Sequence, residues 1–190
     1  MDRGFFINGE WQMRTSADRF DIMNPATGKA EGSTLMADGA VVDEAVGHAE
    51  RVAQEFADMP ADARAAILNK TADLMEQRVE EMSRLLTREQ GKPVYDNTKE
   101  ILFGAEVLRY YAAESVRMHG SLRVSASPHI KNIVSYHPVG VTAAIVPWNY
   151  PIDLYCWKIG PAIATGCPII VKSPHETPLA IAMLVDCLHE

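Results

Sequence analysis

Two side chains in the last third of the chain have the type and setting for chemistry. Asn149 stands in Pro147-Trp148-Asn149-Tyr150-Pro151, a turn pinned by a proline at each end. Its side-chain NH2 is a neutral donor, and on so rigid a turn it can be aimed at a developing oxyanion. The other reading is a turn asparagine bonding its own backbone. Lys172 closes a short apolar run, Pro168 to Val171. It is either a solvated lysine at a strand end or a cation facing a ligand, and only a motif decides between them. Thiol chemistry would fall to Cys156, Cys167 or Cys187. None has a histidine or other base beside it in sequence, so each reads as a buried structural thiol. His119, His129 and His137 share no ligand spacing and His48 lies on an exposed helix face, so no metal site is read.

The elements that must hold Asn149 and Lys172 follow from the apolar pattern. Val139 to Val146 is rich in β-branched residues and bounded by Pro138 and Pro147, which predicts a strand buried on both faces with a parallel neighbour. Ile152, Tyr155, Ile159, Ala162 and Ile163 then recur at helical spacing until Gly166. Pro168 to Val171 predicts a second strand and Lys172 to Glu176 a polar turn. Thr177-Pro178 predicts a helix start, Thr at N-cap and Pro at N1. This is a βαβα unit of an incomplete doubly wound, Rossmann-like α/β domain, with its ligand crevice beyond the carboxyl ends of the strands. Asn149 and Lys172 stand at those two ends.

With these landmarks in place, the chain resembles a known family. Pro138-Val139-Gly140-Val141, the PWNYP turn, the segment Lys158 to Gly166, and the Lys172 turn closing on Thr177-Pro178 are together similar to the cofactor-binding segment of the aldehyde dehydrogenase superfamily. Phe6 to Trp11 (FINGEW), Asn24 to Gly28 (NPATG) and Glu89 to Pro93 (EQGKP) extend the resemblance upstream. Gly140 to Ile145 with Gly166-Cys167 looks most like the succinate-semialdehyde dehydrogenase branch.

The resemblance implies an NAD or NADP cofactor and a small aldehyde substrate. Such a reaction needs a thiolate that forms a thiohemiacetal, donors for its oxyanion, a hydride acceptor, and a base that activates water. The family's Asn at the position of Asn149 is the oxyanion donor. Ile145, Val146, Pro147 and Trp148 would line the cofactor cleft, and Lys172 would reach the adenosine ribose hydroxyls. Family members that strongly prefer NAD commonly carry a glutamate three residues after that lysine. Here the position is His175, with Glu176 one residue further on, so NADP is expected to be accepted at least comparably to NAD. The family's catalytic cysteine and general-base glutamate lie downstream of the matching segment. The chain is therefore expected to be a truncated, inactive N-terminal part of an aldehyde dehydrogenase. The alternative is a non-catalytic assembly or cofactor-binding module that kept the scaffold.

The rest of the chain reads as scaffold. Phe5 to Trp11 and Phe20 to Met23 suggest an N-terminal packing hairpin. Val42, Val46, Ala49, Ala53 and Phe56 form one face of a helix ending before Pro60. Leu68, Ala72, Met75, Val79, Met82 and Leu86 mark a long helix from Ala61 to Gln90, with a break expected near Gln77, and Gly91, Lys92 and Pro93 end it. A third helix, Asp96 to Met118, carries Ile101, Leu108, Tyr111 and Ser115 on one face, and Tyr110-Tyr111 reads as core. Leu122 to Ser125 and Ile133 to Tyr136 flank a Ser-Pro turn, and the resemblance makes them an oligomerisation hairpin of a homodimer or homotetramer. The domains are then 1–119, N-terminal hairpin and helices; 120–137, the projecting hairpin; and 138–190, the first βαβα of the cofactor domain. A net charge of −7, with no cluster among the 18 Lys and Arg, argues against nucleic acid or an anionic membrane as partner. An unpaired number of cysteines, no C-x-x-C spacing and no signal-peptide pattern at the start suit a cytoplasmic protein.

Overall fold

The computed structural model describes residues 2–14 and 17–190. β2 (Phe5–Ile7) and β3 (Glu10–Gln12) pair antiparallel with Phe6 opposite Trp11. Asn8 and Gly9, both at positive φ, make the two-residue turn between them. Phe20 to Met23 does not join that hairpin. It lies in β4 (Arg19–Met23), which pairs with β5 (Ala30–Leu35), while β1 (Asp2–Arg3) adds to β5 in parallel. The cause is local: Asn24 Oδ1 accepts from Ala26 N at 2.9 Å, and Gly28 at φ +66° turns the chain straight back.

Asp38 caps α1 (Gly39–Asp58) by accepting from Val41 N at 2.9 Å. Its expected apolar face is only half-buried, and Val42 is exposed while its neighbour Val41 is buried. The helix packs chiefly on the strand Ile169–Lys172, which covers little of it. The expected long helix is two, α2 (Ala61–Gln77) and α3 (Val79–Gln90), broken at Arg78, whose φ −104° and ψ 10° leave the helical region. The apolar face continues across the break: Leu68, Ala72, Met75, Met82 and Leu86 are fully buried. In α4 (Val94–Arg117), Ile101, Val107, Leu108, Ala112 and Ser115 are buried as the spacing requires. Tyr111 is half-buried, edge-on to Trp157, but Tyr110 is exposed and so is not core. The two tyrosines are adjacent on the helix, so only one can face inward.

β6 (Ser121–Val124) and β7 (Lys131–Val134) form an antiparallel hairpin standing off the core, with Val124 98% and Ile133 80% exposed. β8 (Thr142–Ile145) and β9 (Ile169–Lys172) pair in parallel across α5 (Pro151–Ala164), with Ile145 opposite Lys172, and α6 (Leu179–His189) follows. The expectation that β8 is buried on both faces is corrected. Ala144 and Val146 are buried, whereas Ile145 is 77% and Val139 83% exposed. Successive strand residues point to opposite faces, and among the described residues only one face is covered. Side chains of α2 to α6 share one core, in which α4 and α5 approach closely at Gly160. A Cβ there would lie 2.6 Å from the Tyr111 ring.

Candidate functional site

The PWNYP turn is held from below by the α3–α4 connection. Gln90, the last residue of α3, donates through Nε2 to Trp148 O at 2.8 Å and to Asn149 O at 2.9 Å. Gly91 follows at φ +86°, the left-handed C-cap that frees the chain to turn, with its N–H on Thr87 O. Asn97 Nδ2 then bonds Thr87 Oγ1 and Lys92 O, fixing this connection internally. Lys92 Nζ sits 4.0 Å above the Tyr150 ring and pairs with the fully buried carboxylate of Glu100. It is thus more than a cation near a helix end.

Glu100 performs the second function at this turn. Pro151 occupies N1 of α5 and has no N–H, so the first orphan donor is Ile152 N, and Glu100 Oε1 accepts from it at 3.0 Å. At the other end of α5, Ala164 O accepts from Arg64 Nε at 3.2 Å and Ser115 Oγ at 3.1 Å. An anion at the N-terminus and a cation at the C-terminus both favour the helix dipole. Asp153, in the first turn of α5, has its carboxyl raised above the usual range by burial and by Glu100, with Trp157 and Lys92 opposing.

Asn149 itself is exposed, and its side-chain amide has no hydrogen-bond partner among the described residues. The turn is held through the asparagine's backbone carbonyl, while the amide is left to face outward. Ile145, Pro147 and Trp148 are exposed around it, a patch of apolar surface at the carboxyl end of β8. Val146 is buried, so only its backbone is available to a ligand, and its N–H is already given to Lys172 O at 3.1 Å.

The second strand ends in a freer turn. Lys172 is exposed at the end of β9, its side chain without a partner among the described residues. His175 packs edge-on against Phe20 at 4.7 Å between centroids, and its Nε2 lies 3.3 Å from Glu176 Oε1. The expected helix start is corrected: Pro178 is the N-cap and Leu179 the first helical residue. Thr177 Oγ1 is buried and does not cap, because Glu89 takes that role, Oε2 accepting from Leu179 N at 2.7 Å and Oε1 from Ala180 N at 2.9 Å. Burial pushes the Glu89 carboxyl up to about 8 against the pull of these two donors.

Cys156, Cys167 and Cys187 are all buried and free. Burial, with Asp153 and Glu100, raises the Cys156 thiol well above its ordinary value. Cys187 is also raised by burial, although Arg78 Nη1 lies 3.6 Å from its sulfur. None has the electropositive, accessible setting of a reactive thiolate. The described residues contain no group of three His, Cys, Asp or Glu placed to hold a metal, and no helix long and apolar enough to cross a membrane. A cavity of about 280 Å3 opens beside Tyr110, Pro161 and Thr165, at the opposite end of α5 from Asn149, so volume alone does not locate this site.

The family model for aldehyde dehydrogenases matches residues 11–190. The chain belongs to the aldehyde dehydrogenase family. Among family members, it is 34% identical over 184 residues to the glutarate-semialdehyde dehydrogenase of Pseudomonas putida, covering 97% of this chain and 38% of that protein. It is 34% identical over 180 residues to the NADP(+) succinate-semialdehyde dehydrogenase of Escherichia coli, covering 95% of this chain and 37% of that protein. The crystal structure of aldehyde dehydrogenase 21 from Physcomitrella patens, in complex with the reaction product succinate, matches with a TM-score of 0.93 and 30% identity over 100% of this chain and 40% of that one. The chain thus spans about two fifths of the length of the aldehyde dehydrogenases it matches. Its α/β fold is that of the family, and its relatives include succinate-semialdehyde dehydrogenases, as the sequence landmarks suggest.

Proposed function

We propose that this chain is the N-terminal part of an NAD(P)-dependent aldehyde dehydrogenase and contributes the oxyanion donor and part of the cofactor cleft. The observation that carries this is Asn149, whose amide is exposed and unpartnered on a turn whose backbone is clamped. A donor that must stabilise charge only as the carbonyl carbon is attacked needs that combination of a fixed base and a free head. The site fits a dinucleotide: exposed Ile145 and Trp148 offer apolar contact beside Asn149, and Lys172, opposite Ile145 on the neighbouring parallel strand, is a free cation for ribose hydroxyls or phosphate. This is the carboxyl-end crevice of an incomplete doubly wound domain, residues 138–190, with 1–119 as the supporting layer and 120–137 as the hairpin of a homodimer or homotetramer.

A bound nicotinamide would supply the hydride acceptor. Asn149 would hold the aldehyde oxygen through its Nδ2–H and stabilise the oxyanion when a thiolate adds to the carbon. That thiolate and the base that activates water are assigned to the part of the enzyme outside these 190 residues, since the three thiols here are buried. The names of the relatives point to a semialdehyde as substrate and to NADP as one usable cofactor.

The test is Asn149→Ala in an enzyme carrying this chain. Turnover should fall by on the order of 10² to 10³, the usual effect of losing one oxyanion donor, with cofactor affinity near normal. Equal loss of cofactor binding, or no loss of turnover, would return Asn149 to a structural role. The 190 residues alone should not oxidise aldehydes. Steady NADPH formation by the purified chain, abolished by Cys156→Ala or Cys167→Ala, would place the nucleophile here instead.

A further inference from the structure

We infer that Gln90 is a positioning residue for Asn149: its one amide group fixes both peptide planes that flank the Asn149 Cα, and so fixes where the oxyanion donor points. The inference rests on the reading of Asn149 given above. Trp148 O belongs to the peptide before Asn149 and Asn149 O to the peptide after it, and both accept from Gln90 Nε2, at 2.8 and 2.9 Å. With two successive peptide planes tied to one atom, the Cα–Cβ bond of Asn149 is set and only its own χ angles remain. The amide orientation of Gln90 is itself determined by chemistry. Turned over, its carbonyl oxygen would face two carbonyl oxygens, so the NH2 must face the turn.

The base from which Gln90 acts is rigid. It ends α3, Gly91 at φ +86° closes the helix, and a Cβ on Gly91 would lie 2.7 Å from Pro25 Cγ, so the connection is packed as well as bonded. On the far side of the turn, the Lys92–Glu100 pair holds Tyr150 by its ring and Ile152 by its N–H. Between these two anchors the Asn149 side-chain amide is without a partner among the described residues. A donor displaced by about 1 Å loses on the order of 10² in rate, so a residue that never touches substrate can govern the chemical step.

The experiment measures single-turnover NADPH formation with succinic semialdehyde and propanal as probes at saturating NADP, in the complete enzyme. Gln90→Met keeps length and removes the donor. It is expected to slow the chemical step by roughly 10- to 100-fold, with the dissociation constant for NADP and the aldehyde KM little changed. Gln90→Lys restores a donor of similar reach and should recover most of the rate. The decisive comparison is with Asn149→Ala: if Gln90 acts through Asn149, adding Gln90→Met to that variant slows it no further. Should Gln90→Met not yield folded enzyme, Gln90→Glu takes its place, equal in size but without donors. If Asn149→Ala is slow while the Gln90 variant is fast, or if the two losses multiply, the positioning role is overturned and the reading of Asn149 stands. If Asn149→Ala is itself as fast as the parent, the oxyanion reading fails and this inference fails with it.

Discussion

The two strand-to-helix turns of the site solve one problem with different electrostatics. Each precedes a helix whose first N–H groups would be orphaned, and each helix is capped by a glutamate from outside rather than by a residue of its own turn. At α5 the acceptor is Glu100, ion-paired with Lys92, and at α6 it is Glu89, which accepts from two backbone N–H groups, with the charge of Arg88 a lesser influence. The first carboxylate is neutralised where it is buried. The second is not, and burial drives its titration towards neutrality. The difference follows what each turn carries: the Asn149 turn is fixed by Gln90, Lys92 and Glu100 together, while Lys172 and His175 keep free or lightly held side chains. On the proposed function, the backbone beneath the group that would meet a developing charge is clamped, and the groups that would grip a ligand are left room to adjust.

The comparison can be broken most severely at Glu100. Glu100→Ala removes the acceptor of Ile152 N and leaves Lys92 without its counter-charge, so it should cost about 3 to 5 kcal/mol of unfolding free energy. Glu100→Gln, which keeps one acceptor, should cost visibly less. Denaturant titration of the complete enzyme measures both, and equal losses would show that charge rather than capping is what Glu100 supplies.

A smaller effect, and of opposite character, is expected at Glu89. Its folded pKa of about 8 lies above the ordinary 4.5, so the folded state holds a proton that the unfolded chain releases between these values. Its contribution to stability is therefore complete below pH 4.5 and is lost as pH rises to 8, by on the order of a few kcal/mol. The stability of the parent relative to Glu89→Gln should fall across that window and level off above it. A flat difference would mean that the two N–H donors keep Glu89 ionised.

The least change is expected at His175. Its ring lies beside Phe20 and 3.3 Å from Glu176, and the residue that would disfavour a 2′-phosphate is not at that position. The complete enzyme should accept NADP at least comparably to NAD. His175→Glu should shift kcat/KM towards NAD by roughly tenfold, about 1.4 kcal/mol. A native preference for NAD above roughly 100-fold, near 2.7 kcal/mol, would assign the choice to Glu176 or to another part of the enzyme.

What the sequence made legible was local. The alternating face from Leu68 to Leu86, the strand and helix order around PWNYP, and the glycines at 91 and 166 need only neighbours within a few positions, and they are found where the spacing puts them. The faces of β8 and α1 were less legible, because burial depends on what covers an element and not on its own pattern. Val139 and Ile145 are apolar yet exposed, and Val42 yields to Val41. The supports of the site were silent for a different reason. Glu89 and Glu100 each fall on an inward helix face, among Leu85 and Leu86 and beside Asn97 and Ile101, and a buried carboxylate there is a signal. Its partner, however, is a backbone N–H in another element, and no residue type announces that. Thr177-Pro178 shows the converse, since a good capping pair by type stands unused because a carboxylate reaches the helix first.

The sequence separation of these caps bears on how the molecule is made. Glu100 and Ile152 are 52 positions apart, and Glu89 and Leu179 are 90 apart. During synthesis, at roughly 5 to 20 residues per second, both glutamates emerge seconds before the helices they cap. They must wait hydrated on the surface of an unfinished α2–α4 layer. The awaited helices, of 14 and 11 residues, are too short to persist unaided, since isolated helices below about 12 to 15 residues are marginal in water. Helix formation in α5 and α6 and their docking onto the waiting carboxylates are therefore one event, and the Asn149 turn acquires its shape only at that moment.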